Sequence, residues 1–329
     1  MTFQTAGVTL ADVQRPVVGQ LDQVTHTLRD IIAADFPLIQ EVNGHLLQVK
    51  GKQFRPTLLL LANEASGALE PHATRLAAVI ELIHLATLVH DDSVDHSALR
   101  RGMPTVNALF SHQISVIMGD YLYSRAIIEL VRIGDLEPLR VLSSVTNEMT
   151  VGEMRQLAQY DALAFREEDY EVTIRSKTAT LLAAACESGA LRAGPGCRGA
   201  LREYGDALGM AFQITDDLLD YAEAESVTGK PSGNDLKEHK VTLPLIAALG
   251  RMRRDERAVV ARLFAESEPD DEQVAAVIAL VHEHGGLEAA RERADGYARR
   301  AEAALELLSP SAARDALQSA IAYAVERRR

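Results

Sequence analysis

The chain has 329 residues, with 34 lysines and arginines against 47 aspartates and glutamates and a formal charge of −13; this balance, without any basic stripe, excludes a nucleic-acid-binding surface. Its two cysteines, Cys186 and Cys197, cannot build a disulfide framework and fit a reducing cytoplasm. No apolar run approaches the roughly 18 residues of a membrane span, and the start MTFQTAGVTLADVQRP lacks the basic-then-apolar order of a signal peptide, so a soluble, cytoplasmic protein with no transmembrane segment is expected.

Ala, Leu, Glu and Arg dominate, apolar residues recur at helical spacing almost throughout, and alternating strand runs are scarce, which predicts an all-α fold. Length alone suggests two domains, but no Ser/Pro-rich linker divides the chain, so a single domain over 1–329 is expected. The first expected helices cover 8–32, 36–48 and 52–66. After a break at 66–71 comes 71–94, whose LAAVIELIHLATLV is apolar on most faces and should run through the centre of a bundle. Its C-terminal end carries HDDSVDHSALRRG. Beyond a break at 100–106, helices are expected at 111–132, 136–162 and 167–190. A break at 193–199 precedes 198–224, which carries FQITDDLLDY, and TGKPSGN within 228–234 reads as a mobile loop over the site. The remaining helices are expected at 240–250, 254–264, 271–284, 286–307 and 310–327.

The chemistry is concentrated in two acid clusters. Asp91, Asp92 and Asp95 repeat the i, i+1, i+4 spacing of Asp216, Asp217 and Asp220, each after a mostly apolar run. Like charges at i, i+4 disfavour a helix by a few tenths of a kcal/mol, so something must offset the repulsion. One cluster by itself would read as a solvated helix end. Two matched clusters, facing each other, present up to six carboxylates across one cavity, a charge density that calls for divalent cations. Oxygen-only ligands favour Mg²⁺ or Mn²⁺ over zinc. Mg²⁺ commonly binds through one or two carboxylates plus substrate phosphates, which implies a phosphorylated substrate. Cations suited to phosphate stand nearby in sequence: Arg100 and Arg101, Lys230 and Lys240, Lys50, Lys52 and Arg55, and Arg175 and Lys177. Each taken singly would be an ordinary surface charge.

Two motifs point elsewhere. Gly194, Gly196 and Gly199 in GPGCRG satisfy G-x-G-x-x-G, but the preceding LLAAACESGALRA is helical where a dinucleotide site needs a strand, so the segment reads as a loop. Glu81 and His84 form one Glu-x-x-His unit; a di-iron bundle needs two, and no second copy occurs.

In order along the chain, GKQFRP, DDSVD with RRGMPT behind it, SKTA, FQITDDLLD and GKPSGNDLKEHKVTLP resemble the markers of the trans-prenyltransferases, the polyprenyl diphosphate synthases, over about residues 50–245. The chain departs from the pattern at Lys50-Gly51, where two glycines are usual, at Gln53, a frequent arginine, and at His239, a common glycine position before Lys240. These departures touch loop geometry and affinity and remove no carboxylate. The resemblance implies an isoprenoid-synthase-type helical bundle around a central apolar cavity, with isopentenyl diphosphate and an allylic diphosphate as substrates. It implies that Asp91, Asp95 and Asp216 contact Mg²⁺ most directly, with Asp92, Asp217 and Asp220 orienting metal-bound water or completing the charge balance. By the same likeness Arg100, Lys177, Lys230 and Lys240 hold the allylic diphosphate, while Lys52, Arg55, His84 and Arg101 hold isopentenyl diphosphate. Lys177, Thr178 and Gln213 supply oxygen dipoles to an allylic cation.

His84, seven residues before Asp91, lies about two turns away on the same helix face; without that context a histidine in an apolar helix is more often a core residue. The terminal run Arg327–Arg329 reads simply as cations favoured at a helix end. Short-chain members of the family place bulky aromatics one turn before the first cluster, where this chain has Ala86 and Thr87. The missing floor implies a product of medium to long chain, hexaprenyl to decaprenyl, of the kind used as a quinone side chain, with Tyr121 and Tyr123 as further stops to test. The alternatives are a short-chain farnesyl or geranylgeranyl diphosphate synthase, a class I terpene cyclase, a subunit of a heteromeric synthase and, more remotely, a di-iron oxidoreductase. A cavity rich in aromatics is expected of a cyclase, whereas this chain has no Trp and 5% aromatic residues. A homodimer is expected, with 111–132 as an interface helix, together with transient membrane contact for product release.

Overall fold

The computed structural model describes residues 7–48, 51–157, 163–222 and 233–326. The described chain is helical almost throughout, as the residue pattern predicts. In order, its elements are α1 (Leu10–Gln14), α2 (Val18–Ile32), α3 (Pro37–Gln48), α4 (Phe54–Ser66), α5 (Ala73–Val94), a hairpin of β1 (Leu99–Arg100) and β2 (Met103–Pro104), and α6 (Val106–Leu109). There follow α7 (His112–Ile133), α8 (Leu136–Leu157), α9 (Glu167–Ile174), α10 (Thr180–Gly189) and α11 (Pro195–Ala222). The last are α12 (Asn234–Lys237), α13 (Leu243–Leu249), α14 (Arg254–Ala265), α15 (Asp271–Glu283), α16 (Gly286–Leu305) and α17 (Ala312–Glu326).

Most departures from the sequence reading have local causes. The expected helix at 8–32 is interrupted by a 3₁₀ turn over Arg15–Val17, where Pro16 cannot donate to the preceding turn. The helix at 167–190 contains a π-helical stretch, Arg175–Ala179, of the kind that recurs at functional sites. The break at 100–106 contains the hairpin, whose turn residues Arg101 and Gly102 both have positive φ, as a tight two-residue turn requires. Residues 240–242, placed in a helix from sequence, lie instead between α12 and α13. Gly196 and Gly199, read as loop, are already in the first turns of α11, and the element directly before them is helix α10, not a strand.

The centre of the bundle is α5 and α10. Every residue of α10 is buried, and α5 buries Leu76 through Ile80, Leu82, Ile83, Ala86 and Val89. α5 packs on α2, α4 and α7, while α10 packs on α4, α8 and α11. Gly205 of α11 permits this closeness: a Cβ there would stand 2.6 Å from the Leu182 carbonyl oxygen. By length and a mean hydropathy of 1.3, α5 could cross a membrane, but it is the core helix of a bundle and carries Arg75 and Glu81. A second, smaller apolar cluster joins Tyr221 to α12, α13, α14 and α15 through residues such as Leu236, Leu245, Val260 and Val277. Both cysteines are free, with Cys186 fully buried.

Candidate active site

Between the end of α5 and the end of α11 lies a cleft of about 1400 Å³. Asp91 and Asp95 line it from α5, and Asp216, Asp217 and Asp220 line it from α11. The two acid clusters therefore share one cavity, as their matched spacing suggests. Around them stand Lys52, Arg100, Arg101, Lys177 and Lys240, with Leu88, Leu157, Phe165 and Ile174 on the apolar side.

The six clustered aspartates are not equivalent. Asp92 is buried and does not line the cleft; the Arg100 guanidinium grips it with Nε 2.9 Å from both carboxylate oxygens and a terminal nitrogen 2.8 Å from Oδ1. The hairpin thus swings Arg100 back onto α5, leaving its cation at the cleft wall. Asp217 is also saturated by the protein, accepting from Tyr170 Oη at 2.6 Å and from Gln213 Nε2 at 2.7 Å. Burial pushes its carboxyl up to about 8. Asp220 accepts the Asp235 backbone N–H at 2.9 Å through Oδ2, while its buried Oδ1 has no hydrogen-bond partner.

Asp91 is held up at about 6, chiefly by burial, against the lowering influence of Lys177 and with Glu153 and Asp95 adding to the rise. Asp235, on α12, is pushed up to about 7 by burial and by Asp220. Crowded carboxylates that resist ionisation, an orphaned carboxylate oxygen and an all-oxygen donor set suit a hard divalent cation. A second acidic group, Glu256, Glu283 and His284, lies away from the cleft, and Glu256 is there engaged by Arg253.

Lys177 sits on the π-helical stretch, 3.0 Å from Glu153 Oε1 and 3.9 Å from Asp91 Oδ2. Beside it Thr178 donates to Gln213 Oε1 at 2.8 Å, so Thr178, Gln213, Asp217 and Tyr170 form one chain of hydrogen bonds from cleft to core. The extra residue in the π turn puts Lys177 and Thr178 together at the wall. Lys240 lies across the cleft, its ammonium paired with Glu238.

Arg55, Glu81 and His84, each half-buried as a residue and none of them lining the cleft, form a group of interacting charges with Arg101. Burial brings Arg55 down to about 10 and keeps His84 neutral, well below the ordinary imidazole range, with Arg55, Arg100 and Arg101 reinforcing the effect. Arg55 Nε and Glu81 Oε2 are buried without hydrogen-bond partners. Two guanidiniums beside Glu81 and His84 make this pair unsuited to iron and suited to an anion. Gln14 donates to the Lys52 carbonyl at 3.0 Å, fastening the loop that carries Lys52.

Several sequence-based expectations fall outside the cleft wall. Lys230 lies outside the described residues. Ala86 is buried and Thr87 half-buried, and neither lines the cleft; Leu88 is the wall residue at that level of α5. Tyr121 is turned to the end of α2, where its hydroxyl donates to the Ile32 carbonyl at 3.0 Å. The sequence reading also missed Glu153, Tyr170 and Asp235. Asp235 sits within GNDLKEHK between the two lysines already singled out, so its charge was a usable signal; Glu153 and Tyr170 belong to ordinary helical pattern and become visible only in three dimensions.

A family model described as polyprenyl synthetase matches residues 36–281. The chain belongs to that family. The match extends past both ends of the stretch 50–245 that carries the resemblance by motif. An all-trans-nonaprenyl-diphosphate synthase (geranyl-diphosphate specific) from Rhodobacter capsulatus is 38% identical over 96% of this chain and 97% of its own length. Among solved structures, a decaprenyl diphosphate synthase from the same organism has 37% identity and a TM-score of 0.92, covering 98% of this chain and 100% of its own. A polyprenyl synthase from Caulobacter crescentus CB15, solved with calcium and isoprenyl diphosphate, has 34% identity and a TM-score of 0.92 over 98% of this chain and 99% of its own. The all-α isoprenoid-synthase fold expected for the synthase is the fold these neighbours share.

Proposed function

We propose that the chain is a Mg²⁺-dependent prenyltransferase that adds isopentenyl diphosphate to an allylic diphosphate such as farnesyl diphosphate, making an all-trans polyprenyl diphosphate of hexaprenyl to decaprenyl length for a quinone side chain. The observation that carries this reading is the facing of Asp91 and Asp95 with Asp216 and Asp220 across a cleft rimmed by cations. The relatives, two of them long-chain synthases by name, support the product class.

Asp91, Asp95 and Asp216 are assigned the direct metal contacts, with Asp220 and Asp235 beside them and with Asp92 and Asp217 acting from behind. When bound, Mg²⁺ supplies positive charge to the departing diphosphate; Mn²⁺ would do the same. Arg100, Lys177, Lys230 and Lys240 are assigned to the allylic diphosphate, where their charge stabilises the leaving group more as the carbon–oxygen bond breaks than before. That bond's electron pair stays on the diphosphate. Thr178 donates its proton to Gln213, which leaves the Thr178 lone pairs available to face the allylic cation. Leu88, Phe165 and Ile174 help exclude water from it. Isopentenyl diphosphate, assigned to Lys52, Arg55, Arg101 and neutral His84, presents its double bond to the cation. A carbon–carbon bond forms, and the resulting tertiary cation loses a proton to the released diphosphate, restoring a double bond.

The test is incubation of the pure protein with farnesyl diphosphate, labelled isopentenyl diphosphate and Mg²⁺, followed by chromatography of the dephosphorylated products. Label should enter chains longer than geranylgeranyl. Product made without isopentenyl diphosphate would instead indicate a cyclase, and inactivity of the lone protein would indicate a subunit of a heteromeric synthase. A product that ends at farnesyl or geranylgeranyl would make it a short-chain enzyme.

The chain is read as one domain, because α11, α13 and α16 run from the main core to the smaller apolar cluster. A homodimer is favoured by α7, where Ile117 and Val131 are each 63% exposed with Ile128 between them on one face. Leu136 and Met154 of α8 extend the exposed apolar surface. Light scattering at micromolar concentration should give twice the chain mass; a monomer mass would remove the dimer from the reading. Free cysteines fit a cytoplasmic enzyme, and release of so apolar a product calls for transient contact with a membrane.

A further inference from the structure

His239 stands directly before Lys240, where the resembling sequences commonly have glycine. Its backbone keeps a conformation that suits glycine, with φ of +57° in the left-handed region that a Cβ disfavours. A side chain retained there against that preference requires a reason, and its contacts supply one. Nε2 lies 2.7 Å from the carbonyl oxygen of Glu266, the residue that caps the end of α14. A carbonyl only accepts, so Nε2 carries the proton and donates. The ring also meets Phe264 edge-on, with centroids 5.8 Å apart and planes at 64°.

The backbone on either side is already closed on itself. His239 N–H donates to the Leu236 carbonyl at 3.1 Å, and Lys240 N–H donates to the Asp235 carbonyl at 2.7 Å. This makes a tight turn at the end of α12, carrying Lys240 at its tip. Those bonds fix the turn's shape but not its place over the cleft, because all of them lie within residues 235–240. The imidazole gives the tip of this turn a hydrogen bond to the end of α14, whose Ala261, Phe264 and Ala265 line the cleft beside it. Helix-end carbonyls have no intrahelical donor, so the Glu266 oxygen is available to receive it.

We infer that His239 is a positioning residue: by tying the 235–240 turn to the end of α14, it holds the Lys240 ammonium over the diphosphate site. Glycine would satisfy the backbone at lower cost but would remove this link to the end of α14, leaving the N-terminal half of the turn held by Asp235 N–H on Asp220 and by Lys237 on Asp271 while the tip that carries Lys240 loses its own anchor. The inference rests on the reading of Lys240 as a ligand of the allylic diphosphate.

The test compares His239→Gly and His239→Asn with Lys240→Ala, all in the full-length protein. Glycine and asparagine both adopt the left-handed conformation readily, so neither variant is expected to fail in folding. Both lack the imidazole. Each should raise KM for the allylic diphosphate about two- to tenfold, the ratio associated with one lost hydrogen bond. KM for isopentenyl diphosphate should stay within about twofold, on the same scale. Amide hydrogen exchange over residues 235–240 should accelerate in both variants. If Lys240→Ala raises the allylic KM while the two His239 variants match wild type in KM and exchange, the positioning role is overturned and Lys240 keeps its assignment. If both substrate KM values rise together in the His239 variants, the effect is general loosening and the inference again fails. If Lys240→Ala leaves the allylic KM unchanged, the assignment of Lys240 itself falls, and the role inferred for His239 falls with it.

Discussion

Asp91→Ala or Asp216→Ala lowers turnover by at least about 10²-fold, the scale on which loss of one electrostatic stabiliser of a transition state is felt, with the helical circular dichroism spectrum unchanged. Both side chains line the cleft instead of filling the core. Asp91 is at the last turn of α5, where burial holds its carboxyl up at about 6 and the Lys177 ammonium stands 3.9 Å away. On the proposed reading truncation removes a cation ligand, and it leaves the Leu76 to Val89 packing of the same helix intact. The measurement is steady-state turnover over a range of Mg²⁺ concentrations. Near-native turnover at limiting Mg²⁺ by either folded variant refutes the assignment. Raised activity at high Mg²⁺ would mark a loss of metal affinity, still in keeping with a ligand.

Ala86→Phe shortens the product. On the proposed reading the growing tail leaves the diphosphate end beside Asp91 and runs along α5 from its cleft face, which carries Leu88 and Asp91, towards its core face, which carries Ala86. One isoprene unit advances it by a distance on the order of one helical turn, about 5.4 Å. Ala86 is only 2% exposed, above Val79, Leu82 and Ile83, which are fully buried. Passage along this line depends on small side chains and on local displacement of their neighbours. A phenylalanine at 86 blocks it, with an overpacking cost of about 1–3 kcal/mol for the extra bulk. Thr87→Phe, at a half-buried position next to it, provides a second obstruction with less strain. Chromatography of dephosphorylated products should show long chains from wild type and shorter ones from both variants, with circular dichroism reporting on folding. A long, unchanged distribution from two folded variants would mean that this turn of α5 does not border the tail.

Much of this site was legible because its parts are local. The i, i+1, i+4 spacing of each aspartate cluster follows from helical geometry, and the identical spacing at 91–95 and 216–220 signals a shared task before any fold is known. The apolar run from Leu76 to Val89 likewise identifies a central helix, because a helix without a polar face has to be surrounded. The basic residues near the clusters were visible for the same reason. Hairpin residues 99–104 were missed because two-residue strands leave no alternating pattern, and only the pairing of Leu99 with Pro104 and Arg100 with Met103 creates them.

Sequence by itself determined the helices, the two acid groups and the class of chemistry, since each depends on residues within a turn or two of one another. Tertiary structure alone decided the division of labour among the acids. Asp92 and Asp91 are neighbours in the chain, yet the hairpin folds Arg100 onto one while the other faces the cleft beside Lys177. Asp217 is claimed by Tyr170, which is 47 residues away, and Lys177 by Glu153, on a different helix. No periodicity encodes such pairings, because a buried carboxylate's role is set by which donors the packing of distant helices brings within about 3 Å of it.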